Sequence, residues 1–152
     1  MKRLRWSWYL QSLLVLALVA VGSLPGIAAT STQGIPPLPK ELQAPCKLVL
    51  VEFFASWCST CRWVAPYVAN IEKEAGPALQ LIHIEVDKPI NAEYVQRYRV
   101  SGTPTFILFS PEGKPIYAMD RYIAPNELRS NVLKRVTQLK RSPNGLACAV
   151  KK

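Results

Sequence analysis

A chain of 152 residues, 49% of them hydrophobic, suits one packed domain and excludes wholesale disorder. Its formal net charge is +9, and the cations gather at the ends: Lys2, Arg3 and Arg5 first, then Arg129, Lys134, Arg135, Lys140, Arg141, Lys151 and Lys152. The late cluster reads as a solvated helix face or as an attraction to an acidic partner or anionic lipid surface.

After Arg5 no charge appears until Lys40. Leu13 to Val21 is an unbroken apolar run of the length of a signal-peptide core, and Ala28-Ala29 lies among small residues suited to cleavage. Residues 6–29 together are also long enough to cross a bilayer of about 30 Å as a helix. Residues 1–29 are therefore expected to be a signal-anchor or a signal peptide. A buried core helix is disfavoured because the run has no polar face. Either way the basic cluster stays in the cytoplasm and the remainder is translocated, where nucleic acid is a poor partner.

Residues 30–45, with four prolines, read as an extended tether. The domain is expected over 46–140, followed by a basic tail over 141–152. KLVLVEFFA, residues 47–55, is a nearly continuous apolar run, as in a central strand covered on both faces. Beyond Cys58 the apolar residues Val64, Val68, Ile71 and Ala75 recur on one helical face until Gly76-Pro77, with Pro66 inside as a predicted kink. LQLIHIEVD, residues 79–87, predicts a second buried strand, and Ala92 to Tyr98 a short helix. TFILF and PIYAMDR around the turn SPEGK predict an antiparallel hairpin. Leu128, Val132, Val136 and Leu139 line a last helix from about Pro125. The order β-α-β-α-β-β-α predicts an α/β fold, a central mixed four-stranded sheet flanked by helices, preceded by the N-terminal hydrophobic helix.

The sequence ASWCSTCRWVAP, residues 55–66, sets Cys58 and Cys61 three apart where strand passes into helix. Such a pair is half a zinc site, a structural disulfide or a redox couple. The remaining zinc-ligand types, Cys46, Cys148 and His83, provide no second close pair. A structural bridge closing so short a loop constrains the unfolded chain little. Haem attachment fails because Arg62, not histidine, follows Cys61. A redox couple fits best: the unpaired N–H groups and positive dipole end of the helix stabilise a Cys58 thiolate, and Cys61, one turn in and more buried, is placed to resolve a mixed disulfide.

From about residue 46 to 140 the chain resembles the thioredoxin family. VEFFASWCSTCRWVAP matches that family's strand, Trp-Cys-x-x-Cys and helix proline in register, and SGTPTFILF, residues 101–109, resembles its loop bearing a cis proline. The resemblance implies a thioredoxin-like fold, a cis Pro104 packed near the cysteines, and a substrate-binding surface of Trp57, Thr103 and Pro104. It puts Glu52 where the family has a buried acid that exchanges protons with the resolving cysteine; the alternative is an acid whose tip reaches water at a strand end. His83 falls where a lysine is common and either tunes Glu52 or is a core residue bonded to backbone. Ser59 and Thr60 replace the usual Gly-Pro, and Arg121 stands near a usual glycine. Cys46 and Cys148, at the ends of the domain, suit a disulfide that clips the tail, or else free thiols or bonds to other chains.

The implied function is thiol–disulfide exchange on exported or lumenal proteins through Cys58 and Cys61, as a reductant in an electron relay. The implied setting is the periplasmic or thylakoid-lumen side, with protein thiols and disulfides as substrates, a membrane thiol transporter as electron donor, and no cofactor or metal. The alternative is a noncatalytic binding or assembly module holding peptides at Thr103-Pro104 with a static disulfide.

Overall fold

The computed structural model describes residues 32–120 and 123–143. The expected N-terminal hydrophobic helix, Arg121 and Cys148 lie outside these residues, and so does nearly all of the basic tail. Among the described residues no helix is long and apolar enough to cross a membrane.

Among the described residues four strands and three α-helices follow one another: β1 (Leu48–Phe54), α1 (Ser59–Ala75), β2 (Leu79–Glu85), α2 (Ala92–Arg97), β3 (Thr105–Phe109), β4 (Pro115–Asp120) and α3 (Pro125–Arg141). The sheet order is β2-β1-β3-β4. β1 runs parallel to β2, as a crossover helix requires, and antiparallel to β3, so the sheet is mixed. β3 and β4 form the expected hairpin. Its turn depends on Gly113, at φ +77, where an added Cβ would lie 2.5 Å from the Gln43 side chain.

The apolar run of β1 is continuous because both of its faces are covered. Leu48 and Leu50 join Phe106 and Leu108 beneath α1 and α3, which contribute Val64, Val68, Ile71, Leu128, Val132 and Val136. Val49, Val51 and Phe53 join Ile107, Phe109 and Tyr98 on the other face. Arg129 of α3 forks onto Glu74 of α1 at the rim between the two helices.

Two expectations are corrected. The proline-rich segment is not a free tether over its described part. Leu38 and Ala44 are buried in the second face, the Leu38 N–H donates to the Gly113 carbonyl at 2.8 Å, and Arg97 and Tyr98 donate to the Pro37 carbonyl. The packed domain thus starts well before Cys46. β2, in turn, is not a fully buried strand: only Leu79 and Ile84 are buried, because β2 lies at the sheet edge and β1 occupies the centre.

Candidate active site

The parallel pairing of β1 and β2 brings the C-terminal ends of both strands to one end of the sheet. There β1 passes through Ala55, Ser56 and Trp57 to Cys58, the N-cap of α1. Cys58 and Cys61 are joined by a disulfide with their Cα atoms 5.3 Å apart. The Cys61 N–H donates to Cys58 Sγ at 3.0 Å, so an orphan donor of the first helical turn is spent on the sulfur. That contact, together with the positive helix end, is what stabilises negative charge on Cys58 once the bond is reduced. The helix runs on through Pro66, whose missing N–H leaves the Arg62 carbonyl without its helical donor.

The Thr103–Pro104 peptide is cis, as the resemblance implies. This loop leads directly into β3 and turns the Thr103 carbonyl oxygen to 3.6 Å from Cys58 Sγ. Thr105 Oγ1 donates to the Gly102 carbonyl and ties the loop back on itself. Pro104 is buried and Thr103 half-buried, so the loop offers backbone rather than bulky side chains to the sulfur.

Cys58 was expected to be the more accessible sulfur. In the disulfide form the two residues are equally buried, at 5% exposure each. What distinguishes them is what they face: Cys58 meets the cis-proline loop, while Cys61 lines a cavity of about 290 Å³ on the β2 side. Glu52, His83 and Arg62 share that cavity.

Glu52 belongs to the alternation Leu48, Leu50, Glu52 that faces α1, which accounts for an acid amid an apolar strand. It does not reach water at a strand end, being 4% exposed. Its neighbours in register are His83 on β2 and Phe106 on β3. His83 Nδ1 lies 2.9 Å from Glu52 Oε2, and the His83 side chain is 52% exposed. His83 is therefore a boundary residue bound to Glu52, not a core residue bonded to backbone. Burial pushes the Glu52 carboxyl above the usual carboxylate range, and the charge and hydrogen bond of His83 pull it part of the way back.

Trp57 is largely exposed, and its Nε1–H donates to Asp87 Oδ2 at 2.6 Å. Asp87, which follows β2, was not singled out from the sequence; the available signal was the parallel pairing itself, which makes neighbours of the loops leaving β1 and β2. Arg62 was read only as the residue that excludes haem, yet it donates to the Ser56 carbonyl and walls the cavity. Cys46 is disulfide-bonded, so it is not a free thiol. Among the described residues no cluster of His, Cys, Asp and Glu is arranged to hold a metal.

A family model described as Thioredoxin matches residues 38–134, beginning at the buried Leu38. "Thioredoxin Y, chloroplastic" of Oryza sativa subsp. japonica is 32% identical over 82 residues, 54% of this chain and 47% of that relative. "Thioredoxin" of Mycolicibacterium smegmatis is 40% identical over 70 residues, 46% of this chain and 62% of that relative. The chain thus spans less than two thirds of the length of either. The crystal structure of Malassezia sympodialis thioredoxin matches with a TM-score of 0.55 at 23% identity, covering 64% of this chain and 82% of that one, a likeness of fold alone.

Proposed function

The chain belongs to the thioredoxin family, and from that premise we propose that it is a thiol–disulfide oxidoreductase working through Cys58 and Cys61 on protein thiols and disulfides. The observation that carries this reading is the disulfide at the N-terminus of α1 with Cys58 Sγ against the Thr103 carbonyl. An extended client strand laid along the cis-proline loop would bring its own sulfur to Cys58.

In the reducing direction the Cys58 thiolate attacks a client disulfide, one client sulfur leaves, and a mixed disulfide forms. The Cys61 thiol then loses its proton to Glu52 and attacks Cys58 Sγ, releasing the second client sulfur. Two electrons pass from the cysteine pair to the client, and the Cys58–Cys61 bond is the product. Trp57 forms the rim of the client site, held by Asp87.

The proposed direction is reduction, within a relay that draws electrons from a membrane thiol transporter and delivers them to exported or lumenal proteins. Support for that setting comes from Lys2, Arg3 and Arg5 ahead of an uncharged stretch that extends to Lys40. Two measurements test these readings. Catalysis of insulin reduction by dithiol, lost in Cys58→Ser, is expected; no acceleration by the wild-type chain would favour a noncatalytic binding module. A reduction potential near the thioredoxin value of about −270 mV is expected, and one near about −120 mV would reverse the direction.

A further inference from the structure

We propose that the segment entering the domain turns its cysteine end toward a bilayer, so that Cys58 exchanges with thiols and disulfides of a membrane protein that lie at headgroup depth. The inference rests on two readings above, thiol–disulfide exchange at Cys58 and an anchor over residues 6–29, and adds the orientation that joins them. Its basis is the path of the chain from Thr32 to Ala44.

The described fold begins in a turn, where the Ile35 N–H donates to the Thr32 carbonyl at 3.2 Å and Gly34 takes φ +82. Ile35 then lines a cavity of about 370 Å³ with Ser101, Thr105 and Asp120. Thr105 pairs with Phe53 near the end of β1 and with Asp120 at the end of β4, and it directly follows the cis Pro104. Ile35 is therefore at the end of the sheet where Cys58 meets the Thr103 carbonyl. Leu38 is at the other end, bonded to Gly113 in the turn between β3 and β4. The chain thus enters at the cysteine end and descends over the face of the sheet away from α1. It is fixed on the way: Arg97 and Tyr98 donate to the Pro37 carbonyl, and Gln43 Nε2 donates to the Leu38 carbonyl at 2.7 Å. These bonds leave the domain no swivel after Ile35.

An anchor that ends at Ala29 lies three residues before Thr32, at most about 11 Å of extended chain. A small domain is about 30 Å across. On so short a leash the end at which the chain enters faces the headgroups, and the end that carries Gly113 is held away from them. The exposed apolar side chains agree. Among the described residues the large hydrophobics that remain exposed are Trp57, Trp63, Tyr67 and Ile90. Trp57 lies on the loop leaving β1, Ile90 follows β2, and Trp63 and Tyr67 lie in the first half of the helix that Cys58 caps. All four are toward the cysteine end, and aromatic rings suit the boundary between headgroups and water.

In the exchange a thiolate of the membrane partner attacks Cys58 Sγ, and Cys61 leaves as a thiolate that water protonates. The partner's second thiolate then displaces Cys58, so the pair gains two electrons and the partner departs as a disulfide. Holding Cys58 at the headgroups raises its effective concentration toward such a partner over any thiol in bulk solvent.

The test uses the full chain with Cys58 as its sole thiol, carrying Cys46→Ser, Cys61→Ser and Cys148→Ser, in phosphatidylcholine vesicles. A minor share of the lipid is phosphatidylethanolamine bearing a pyridyl disulfide on its headgroup. Cys58 attacks the lipid-borne sulfur, pyridine-2-thione leaves, and its absorbance gives the rate; a water-soluble pyridyl disulfide gives the reference rate. A second chain carries about 20 Gly and Ser residues between Ser31 and Thr32, a leash spanning roughly 25 Å that lets the domain turn over. Both chains should react equally with the soluble probe. The ratio of lipid rate to soluble rate is expected to fall at least about tenfold in the lengthened chain, because effective concentration falls as about the −3/2 power of linker length. An unchanged ratio would overturn the proposal, and so would a rising one, which marks a cysteine end that faced away until the longer leash freed it. Flotation of the vesicles tests the reading beneath: a chain left at the bottom of the gradient refutes the anchor and the orientation with it. A Cys58 that leaves both probes unreacted refutes the oxidoreductase reading, and the exchange proposed here falls with it.

Discussion

The indole Nε1–H of Trp57 donates to Asp87 Oδ2 at 2.6 Å, a bond between the loops that leave two parallel strands. It holds an exposed aromatic ring beside Cys58 without burying it. Asp87→Ala should release the ring and weaken client docking by about 1 kcal/mol, or about fivefold in KM for a protein disulfide. Reduction of a small aromatic disulfide, which needs no docking surface, should proceed at the wild-type rate. Equal losses on both substrates would mean that Asp87 acts on the cysteines themselves.

Leu38 tests where the domain starts. It is 2% exposed and packs with Val49, Phe53 and Phe109 on the face of the sheet away from α1. Leu38→Ala should therefore cost about 3 kcal/mol of unfolding free energy, read from the urea midpoint, because it leaves a cavity in a filled layer. A free tether would show no change.

Glu52→Gln should separate stability from turnover. Because burial raises the Glu52 carboxyl in the folded protein, the folded state holds that proton more tightly than the unfolded chain does. The stability this group contributes is fully present below the ordinary value of 4.5 and is lost as pH rises through the raised folded value. Glutamine mimics the protonated acid and does not titrate. The variant should match the wild type in acid and become the more stable of the two as pH rises through that window, while client release slows. Urea midpoints measured along a pH series would show it, and a constant difference at all pH values would remove burial of charge as the cause.

What the sequence made legible was local. The apolar run of β1, the helical face of α1 and the Thr103-Pro104 loop each signal themselves through residue type and spacing, and they are the parts that bring Cys58 to the cis-proline loop. What it concealed depends on partners distant in the chain. Prolines at 36, 37, 39 and 45 look like linker composition, but the bonds that fix this segment come from Gly113, Arg97 and Tyr98. β2 was expected to be buried like β1, although Gln80, His83 and Glu85 interrupt its apolar residues, and the strand order places it at the edge. The Glu52–His83 contact was one of two alternatives that the family resemblance left open, and the register of the parallel pair, which no spacing within one segment encodes, decides for it.

The division of labour between the two cysteines is open to a direct test. Their equal burial means that access alone does not assign the roles; their surroundings do. Cys58 Sγ accepts the Cys61 N–H and faces the Thr103 carbonyl, where a client strand would lie, whereas Cys61 faces the Glu52 cavity. In Cys61→Ser the mixed disulfide forms at Cys58 and no neighbouring sulfur resolves it, so covalent complexes with client proteins should accumulate. In Cys58→Ser the remaining sulfur faces the Glu52 cavity rather than the client surface, and trapping should fall by at least about tenfold, in line with the loss of a thiolate activated by the helix end. Non-reducing gels of both variants, in a background of Cys46→Ser and Cys148→Ser, measure the ratio. Equal trapping would overturn the assignment of roles, and trapping by neither would point to a static disulfide in a binding module.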